Sequence, residues 1–98
     1  MKSDFLDTLE DRVLIGDGAM GTELYARGVG LDVNFDELNV TRPELVQSVH
    51  QDYVQAGARF LEANTYGASR GRLQGYGLAD RLTDINAAGV RLARGAAD

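Results

Sequence analysis

The sequence predicts an α/β fold in which strands and helices alternate along the chain. Two short apolar runs, Val13-Leu14-Ile15 and Phe60-Leu61, each lead into a polar segment that contains glycine. Segments with apolar residues at helical spacing lie between these runs and after the second one. The order strand, helices, strand, helices is typical of βα units, whose strands are parallel.

Composition limits the class of protein and its partners. The chain has 98 residues, so we expect one small domain over residues 1–98. Its net charge of −5 and the lack of a basic run argue against nucleic acid and membrane surfaces as partners. No apolar run approaches the ~18–20 residues of a membrane span, and the N-terminus lacks a signal-peptide core. We therefore expect a cytoplasmic protein.

The first half of the chain predicts two helices and one strand. Ser3 is a suitable cap for a helix over residues 3–11, and a strand follows at residues 12–16. A short helix over residues 20–27 is expected to stop at Gly28, and residues 29–41 look irregular.

The clearest helix signal starts at Thr41. Thr41-Arg42-Pro43-Glu44 has the pattern of a capping box with proline in the first turn, and Gly57 supplies the stop. One apolar stripe is expected, formed by Leu45, Val46, Val49, Tyr53 and Val54. His50, the only histidine, is predicted to lie at the edge of that stripe and to have no catalytic role.

The second half predicts another strand and two helices. The strand covers residues 58–64, a short helix or turn covers Ser69 to Tyr76, and the last helix runs from Asp80 to Ala97. Gly89 and Gly95 weaken that helix, so glycines kept there indicate close packing against a neighbour.

Alternation in the second strand predicts which side chains share a face. Leu61 and Ala63 are expected to face the helices, so Glu62 and Asn64 point the other way. Glu62 would be costly under the second helix layer of an open sheet, whereas in a barrel it would face the interior near the mouth. The same alternation predicts that Asp17 and Asn64 lie at one rim.

Each candidate site residue also has a purely structural interpretation. Asp17 either contacts a ligand at the strand end or only caps the following helix. Glu62 is either a ligand group or the partner of a buried arginine. Asn64 and Thr65 either line the site or only tie the loop to its own backbone.

Gly16-x-Gly18-x-x-Gly21 formally matches the dinucleotide-binding fingerprint. Its context does not fit, because the two strands are too far apart for a βαβ unit of ~30 residues. Asp17 would also repel a pyrophosphate. A dinucleotide-binding domain is therefore kept only as an alternative.

Four motifs occur in order along the chain, namely Gly16-Asp17-Gly18-Ala19-Met20-Gly21-Thr22, Phe35-Asp36-Glu37-Leu38-Asn39, Thr41-Arg42-Pro43-Glu44-Leu45-Val46 and Glu62-Ala63-Asn64-Thr65-Tyr66-Gly67. Together they resemble the homocysteine S-methyltransferases, over a match that runs from about residue 5 to the end of the chain. The chain is similar to the methyltransferase domain of methionine synthase and to bacterial proteins that fuse this domain to a methylenetetrahydrofolate reductase.

This resemblance implies a (β/α)8 TIM barrel that transfers a methyl group to the sulfur of homocysteine, giving methionine. It implies a zinc ion, held by three cysteine thiolates, that binds the substrate sulfur as thiolate. By matching positions, Asp17 would bind the amino end of homocysteine, and Gly18, Glu62, Asn64 and Thr65 would line the same pocket. The methyl donor is left open among folate through cobalamin, S-methylmethionine and betaine.

The chain matches only the start of such a barrel. A (β/α)8 barrel needs ~250 residues, so 98 residues make about two of eight βα units. The chain contains no cysteine, and the family's zinc cysteines lie on later strands. We expect an N-terminal fragment that is inactive without the remaining barrel segments. The alternative is a non-catalytic module that completes a barrel with another chain.

Overall fold

The computed structural model describes residues 5–98, and helices dominate this part of the chain. The α-helices are α1 (Phe5–Asp11), α2 (Gly21–Ala26), α3 (Leu38–Thr41), α4 (Pro43–Ala56), α5 (Arg70–Gln74) and α6 (Leu82–Ala97). Two 3-10 turns, Phe35–Glu37 and Ala79–Arg81, lead directly into α3 and α6. Among residues 5–98, no helix has the length and apolar character needed to span a lipid bilayer.

The two predicted strands meet at a single parallel bridge between Gly16 and Phe60. The Arg59 N–H donates to the Ile15 carbonyl at 2.7 Å beside it. The parallel orientation is confirmed, but regular strands over residues 12–16 and 58–64 are not formed within the described residues. Two lone segments lack the neighbouring strands that stabilise a sheet, and Val13 is accordingly 89% exposed.

Apolar residues of α2, α3 and α4 form the larger core cluster. Its fully or almost fully buried members are Leu24, Val29, Leu38, Val46 and Val49. A second cluster, under α5 and α6, consists of Ala68, Leu73 and Ile85. Helices α4 and α6 pack against each other, and α3 contacts both of them. The helical layer is therefore the well-packed part of the chain, and the two strand segments lie on it.

The region around residues 29–41 is more regular than predicted. Asn34 caps the first 3-10 turn, because its Oδ1 accepts from the Glu37 N–H at 3.0 Å. The predicted capping box at Thr41 is wrong: Thr41 is the last residue of α3, and its hydroxyl donates to the Glu37 carbonyl. Arg42, with an extended φ of −141°, separates α3 from α4.

The predicted helix ends agree better with the structure. Pro43 is the first residue of α4, and Gly57 ends it with a left-handed φ of +115°. Ser69 caps α5 by accepting from the Arg72 N–H, whereas α6 starts two residues later than expected. The N-terminal helix occupies Phe5–Asp11, and its predicted cap, Ser3, lies outside the described residues.

Arg27 connects α2 to α4. Its guanidinium donates to Ser48 Oγ at 2.9 Å and to Asp52 Oδ2 at 2.7 Å, and a longer contact of 3.4 Å reaches Glu23. These acidic neighbours raise the pKa of Arg27, so the side chain stays charged. This contact fixes α2, and with it the glycine-rich segment before α2, relative to the helical layer.

Candidate functional site

A cavity of about 450 Å³ lies where the two strand segments end. Its walls come from the segment before α2, the first 3-10 turn and the segment after Phe60. All five residues that the sequence singled out line it, namely Asp17, Gly18, Glu62, Asn64 and Thr65. The structure thus brings them together at one rim, and their role toward a ligand stays a prediction.

Asp17 joins the two strand ends. Its Oδ2 accepts a hydrogen bond from the backbone N–H of Glu62 at 3.1 Å. Helix α2 starts at Gly21, with Met20 at the cap position and no side-chain cap. The interpretation of Asp17 as a helix cap is therefore wrong. Its carboxylate orients the second strand end and contributes negative charge to the cavity.

Tyr53 of α4 supports the glycine-rich segment from behind. Its hydroxyl donates to the Ala19 carbonyl at 2.8 Å. A Cβ at Gly18 would lie 2.8 Å from the same hydroxyl, so a larger residue there would displace the ring or the segment. Gly18 is thus required by close packing against α4, which explains the glycine without any bound phosphate.

Glu62 extends into the open part of the site. Its side chain is exposed, and within residues 5–98 no arginine forms an ion pair with it. The alternative of a buried arginine partner is therefore wrong for the described residues. Glu62 and Asp17 place two carboxylates at the rim of one cavity.

Asn64 is committed to internal contacts. It is only 6% exposed, and its Nδ2 donates to the Phe35 carbonyl at 3.1 Å and to Asn39 Oδ1 at 3.0 Å. These contacts reach a distant segment, not its own backbone as the structural alternative proposed. Both amide hydrogens are used, so a ligand contact would fall to its Oδ1.

Thr65 follows in a tight backbone turn. Its N–H donates to the Ala63 carbonyl at 2.9 Å, and its carbonyl accepts from the Ala68 N–H at 3.1 Å. These bonds come from main-chain groups of Thr65, so they do not test whether its side chain ties the loop to its own backbone. Its half-buried side chain still lines the cavity.

Comparison with known proteins identifies the family. The family model described as Homocysteine S-methyltransferase matches residues 14–98, which is most of the chain. The chain belongs to the homocysteine S-methyltransferase family. Methionine synthase from Mycobacterium tuberculosis is 41% identical over 98% of this chain, and methionine synthase from Mycobacterium leprae is 39% identical over 98%.

Solved structures give the same result. The metallated form of the homocysteine methyltransferase MmuM from Escherichia coli matches 92% of the chain with a TM-score of 0.79 and 35% identity. Its oxidised form matches 90% with a TM-score of 0.77 and 36% identity. This chain spans 33% and 32% of those two chains, and 9% and 8% of the two methionine synthases.

Sequence reasoning missed Asp36 as a member of this cavity. Asp36 lines the cavity and is only 5% exposed, and its Oδ2 accepts from the Gly67 N–H at 2.9 Å. Burial raises the pKa of this carboxyl, although the Gly67 N–H opposes the shift. The cap at Asn34, three residues before Glu37, is the sequence signal that places Asp36 inside a turn.

The predicted position of His50 is wrong. It is fully buried and not at the edge of the stripe, and both ring nitrogens lack a hydrogen-bond partner among residues 5–98. Residues 46, 49, 50 and 53 follow the i, i+3, i+4, i+7 spacing, so position 50 is at the centre of the packed face. Burial lowers the pKa of His50, and the nearby charge of Asp17 opposes this only in part.

The residues of this family member do not form a metal site on their own. The chain has no cysteine, and residues 5–98 contain no cluster of three or more His, Asp or Glu arranged to hold a metal ion. Two of the cavity carboxylates, Asp17 and Asp36, already accept backbone N–H groups. The donors present therefore do not fit a zinc ion.

Proposed function

We propose that this chain is the N-terminal part of an enzyme that transfers a methyl group to the sulfur of homocysteine, giving methionine. The observation that carries the proposal is the acidic cavity at the two strand ends. Its lining contains the carboxylates of Asp17 and Glu62 beside the buried Asp36, and no Lys or Arg. Such a cavity suits the ammonium group of an amino acid.

In this proposal each lining residue has a distinct task. The Asp17 and Glu62 carboxylates pair with the ammonium group of homocysteine. Gly18 presents its backbone to the cavity, while close packing against Tyr53 leaves no room for a side chain at this position. Asn64 and Thr65 form the opposite wall. The homocysteine sulfur would extend away from the carboxylates, since a thiolate would be repelled by them.

The sulfur chemistry is assigned to other segments. A zinc ion is proposed as the cofactor of the complete enzyme, with all its ligands outside this chain, because the residues here do not fit it. Contacts to the methyl donor are likewise proposed outside this cavity. Folate through cobalamin, S-methylmethionine and betaine all stay open as donors, and a cytoplasmic location stays a prediction.

We further propose that the chain forms about two βα units of a (β/α)8 barrel. Three observations support this proposal. They are the parallel bridge between Gly16 and Phe60, the TM-score of 0.79 to MmuM over a third of that chain, and two exposed apolar side chains. Val13 is 89% exposed and Ile15 66% exposed, on the face that a barrel would turn inward. Further barrel segments would bury both.

Two alternatives are less well supported. A dinucleotide site would bring a pyrophosphate next to Asp17 and Glu62, and like charges repel. If the alternative held, the wild-type protein would bind NAD and Gly18→Val would abolish that binding. We expect that the wild-type protein does not bind NAD. A non-catalytic module would form a defined complex with a second chain, which size-exclusion chromatography detects.

The decisive experiment compares the 98-residue chain with the protein at its natural length. We expect the longer protein to methylate homocysteine and to retain zinc after dialysis, and the isolated chain to do neither. Turnover by the isolated chain with stoichiometric zinc would overturn the fragment proposal. A natural-length protein without homocysteine methylation by any of the three donors would overturn the proposed activity.

A further inference from the structure

The loop over residues 64–67 is held by side chains from a separate segment. Both backbone polar groups of Gly67 are hydrogen-bonded to side chains of that segment. Its N–H donates to Asp36 Oδ2 at 2.9 Å, and its carbonyl accepts from Asn34 Nδ2 at 3.2 Å. The loop itself contains no helix or strand, only tight turns. Its geometry therefore depends on these outside contacts.

A reciprocal amide pair holds the other end of the loop. Asn39 Nδ2 donates to the Asn64 carbonyl at 2.7 Å, and Asn64 Nδ2 donates back to Asn39 Oδ1 at 3.0 Å. Asn39 also donates to the Ile85 carbonyl at 3.1 Å, which connects the pair to α6. Asn34, Asp36, Asn39 and Asn64 together are called the polar clamp below.

The polar clamp is buried and closely packed. Its four members are between 2% and 6% exposed. A Cβ at Gly67 would overlap Asp36 Oδ2, and a Cβ at Gly89 would lie 2.8 Å from Asn39 Nδ2. Hydrogen bonds shielded from water in this way are costly to leave unmade, so the clamp fixes the loop in one position.

We propose that Asn34, Asp36 and Asn39 are positioning residues for the substrate cavity, acting on it through Asn64 and Gly67. This inference rests on the proposed function, because the loop that they hold carries Asn64 and Thr65 into the cavity wall. Asp36 itself acts through the Gly67 N–H, since its second oxygen is inaccessible. The clamp thus sets how well the cavity fits its amino-acid substrate.

Substitutions at Asp36 separate positioning from charge. Asp36→Ala removes the acceptor for Gly67, whereas Asp36→Asn keeps an acceptor oxygen and removes the charge. A matched control is Asp80→Ala, since Asp80 is the exposed middle residue of the 3-10 turn Ala79–Arg81, as Asp36 is of Phe35–Glu37.

The variants are compared in the protein at its natural length. For Asp36→Ala we expect the KM for homocysteine to rise about tenfold with kcat changed less than about threefold, the scale of one lost buried hydrogen bond. Asp36→Asn should keep most of the wild-type KM, and Asp80→Ala should match wild type. Amide hydrogen exchange at Gly67 should be slow in wild type and Asp36→Asn and fast in Asp36→Ala.

The outcomes separate the clamp from the proposed function. An equal rise of KM in Asp36→Asn and Asp36→Ala, or fast Gly67 exchange with an unchanged KM, would overturn the positioning role. If Asp36→Ala does not fold, Asn34→Ala tests the Gly67 carbonyl contact in the same assays. A wild-type protein that does not use homocysteine would overturn the proposed function. Amide hydrogen exchange at Gly67 would then still test whether the polar clamp holds the loop.

Discussion

Asp17 Oδ2 accepts a hydrogen bond of 3.1 Å from the backbone N–H of Glu62, a residue 45 positions further along the chain. This contact lies next to the parallel bridge between Gly16 and Phe60. One carboxylate therefore connects two strand ends that otherwise share little sheet pairing. It also points its charge at the cavity that Glu62 lines. The Asp17 side chain thus has two roles: it holds the two strand ends together, and it is proposed to bind the substrate ammonium group.

Two substitutions of Asp17 distinguish these tasks. Asp17→Asn keeps an acceptor for the Glu62 N–H but loses the charge that is proposed to pair with the substrate ammonium group. We expect its KM for homocysteine to rise at least about tenfold, since hydrogen bonds to charged groups contribute about 1.5–3 kcal/mol. Its free energy of unfolding should stay near wild type. Asp17→Ala should lose both affinity and stability.

Steady-state kinetics and urea denaturation of the natural-length protein measure these effects. Asp32→Ala is a suitable control, because Asp32 is exposed and does not line the cavity. A wild-type KM in Asp17→Asn would contradict the assignment of Asp17 to the substrate amino group.

Glycines 89 and 95 lie in the same helix but are predicted to respond oppositely to alanine. A Cβ at Gly89 would come within 2.8 Å of Asn39 Nδ2 and 3.0 Å of Thr65 Cγ2. Overpacking of this kind costs about 1–3 kcal/mol, so Gly89→Ala should lower the free energy of unfolding. Gly95 has nothing within 4 Å, so Gly95→Ala should raise it by about 0.5–1 kcal/mol.

The two alanine variants serve as controls for each other, since they make the same change in one helix, Leu82–Ala97. Urea denaturation gives both values. Stabilisation by Gly89→Ala equal to that of Gly95→Ala would show that α6 does not approach Asn39 as closely as described.

The Tyr53 hydroxyl offers a test of how α4 supports the cavity. It donates to the Ala19 carbonyl at 2.8 Å and would be 2.8 Å from a Cβ at Gly18. Tyr53→Phe removes only this hydrogen bond, so we expect a loss of about 1 kcal/mol in the free energy of unfolding. The KM for homocysteine should rise, because the segment containing Asp17 and Gly18 becomes less fixed. Tyr76→Phe, at an exposed tyrosine, should change neither value.

Local signals in the sequence predicted the helices well. Helix α4 begins at Pro43, and Gly57 ends it, as expected. Proline suits the first turn, where a backbone N–H has no partner within the helix, and glycine readily adopts the left-handed φ at the end. The close packing expected at the glycines of the last helix is confirmed at Gly89 and wrong at Gly95, where a Cβ would meet nothing within 4 Å. The gathering of Asp17 and Asn64 at one rim followed from the parallel order of the strands, since parallel strands end at the same edge.

Features that depend on distant contacts were missed. Asp36 and Asn39 are buried because they bond to Gly67 and Asn64, partners that no local pattern reveals. Thr41 was misassigned because α3 ends where a cap was expected. Regular strands are not formed in the part of the chain that the structure describes, because strand propensity in two short segments does not by itself make a stable sheet.

His50 makes the stability of the protein depend on pH in a defined direction. Burial lowers its pKa in the folded state below the ordinary value of 6.5, and no described residue bonds to its ring. Above pH 6.5 both folded and unfolded states hold neutral His50, so its contribution is fully present. As the pH falls below 6.5, the unfolded state takes up a proton first. Stability is then lost until the pH passes the folded pKa, by at most about 1.4 kcal/mol per pH unit.

His50→Leu should remove this dependence. At pH 7.5 its free energy of unfolding should be close to wild type, because two buried nitrogens without partners are replaced by apolar atoms of similar volume. Between pH 7 and pH 5 the wild type should lose stability more steeply than the variant. Urea denaturation at several pH values measures the two slopes. Parallel slopes would show that His50 is not buried as a neutral ring, since a ring with the same pKa in both states adds no pH dependence.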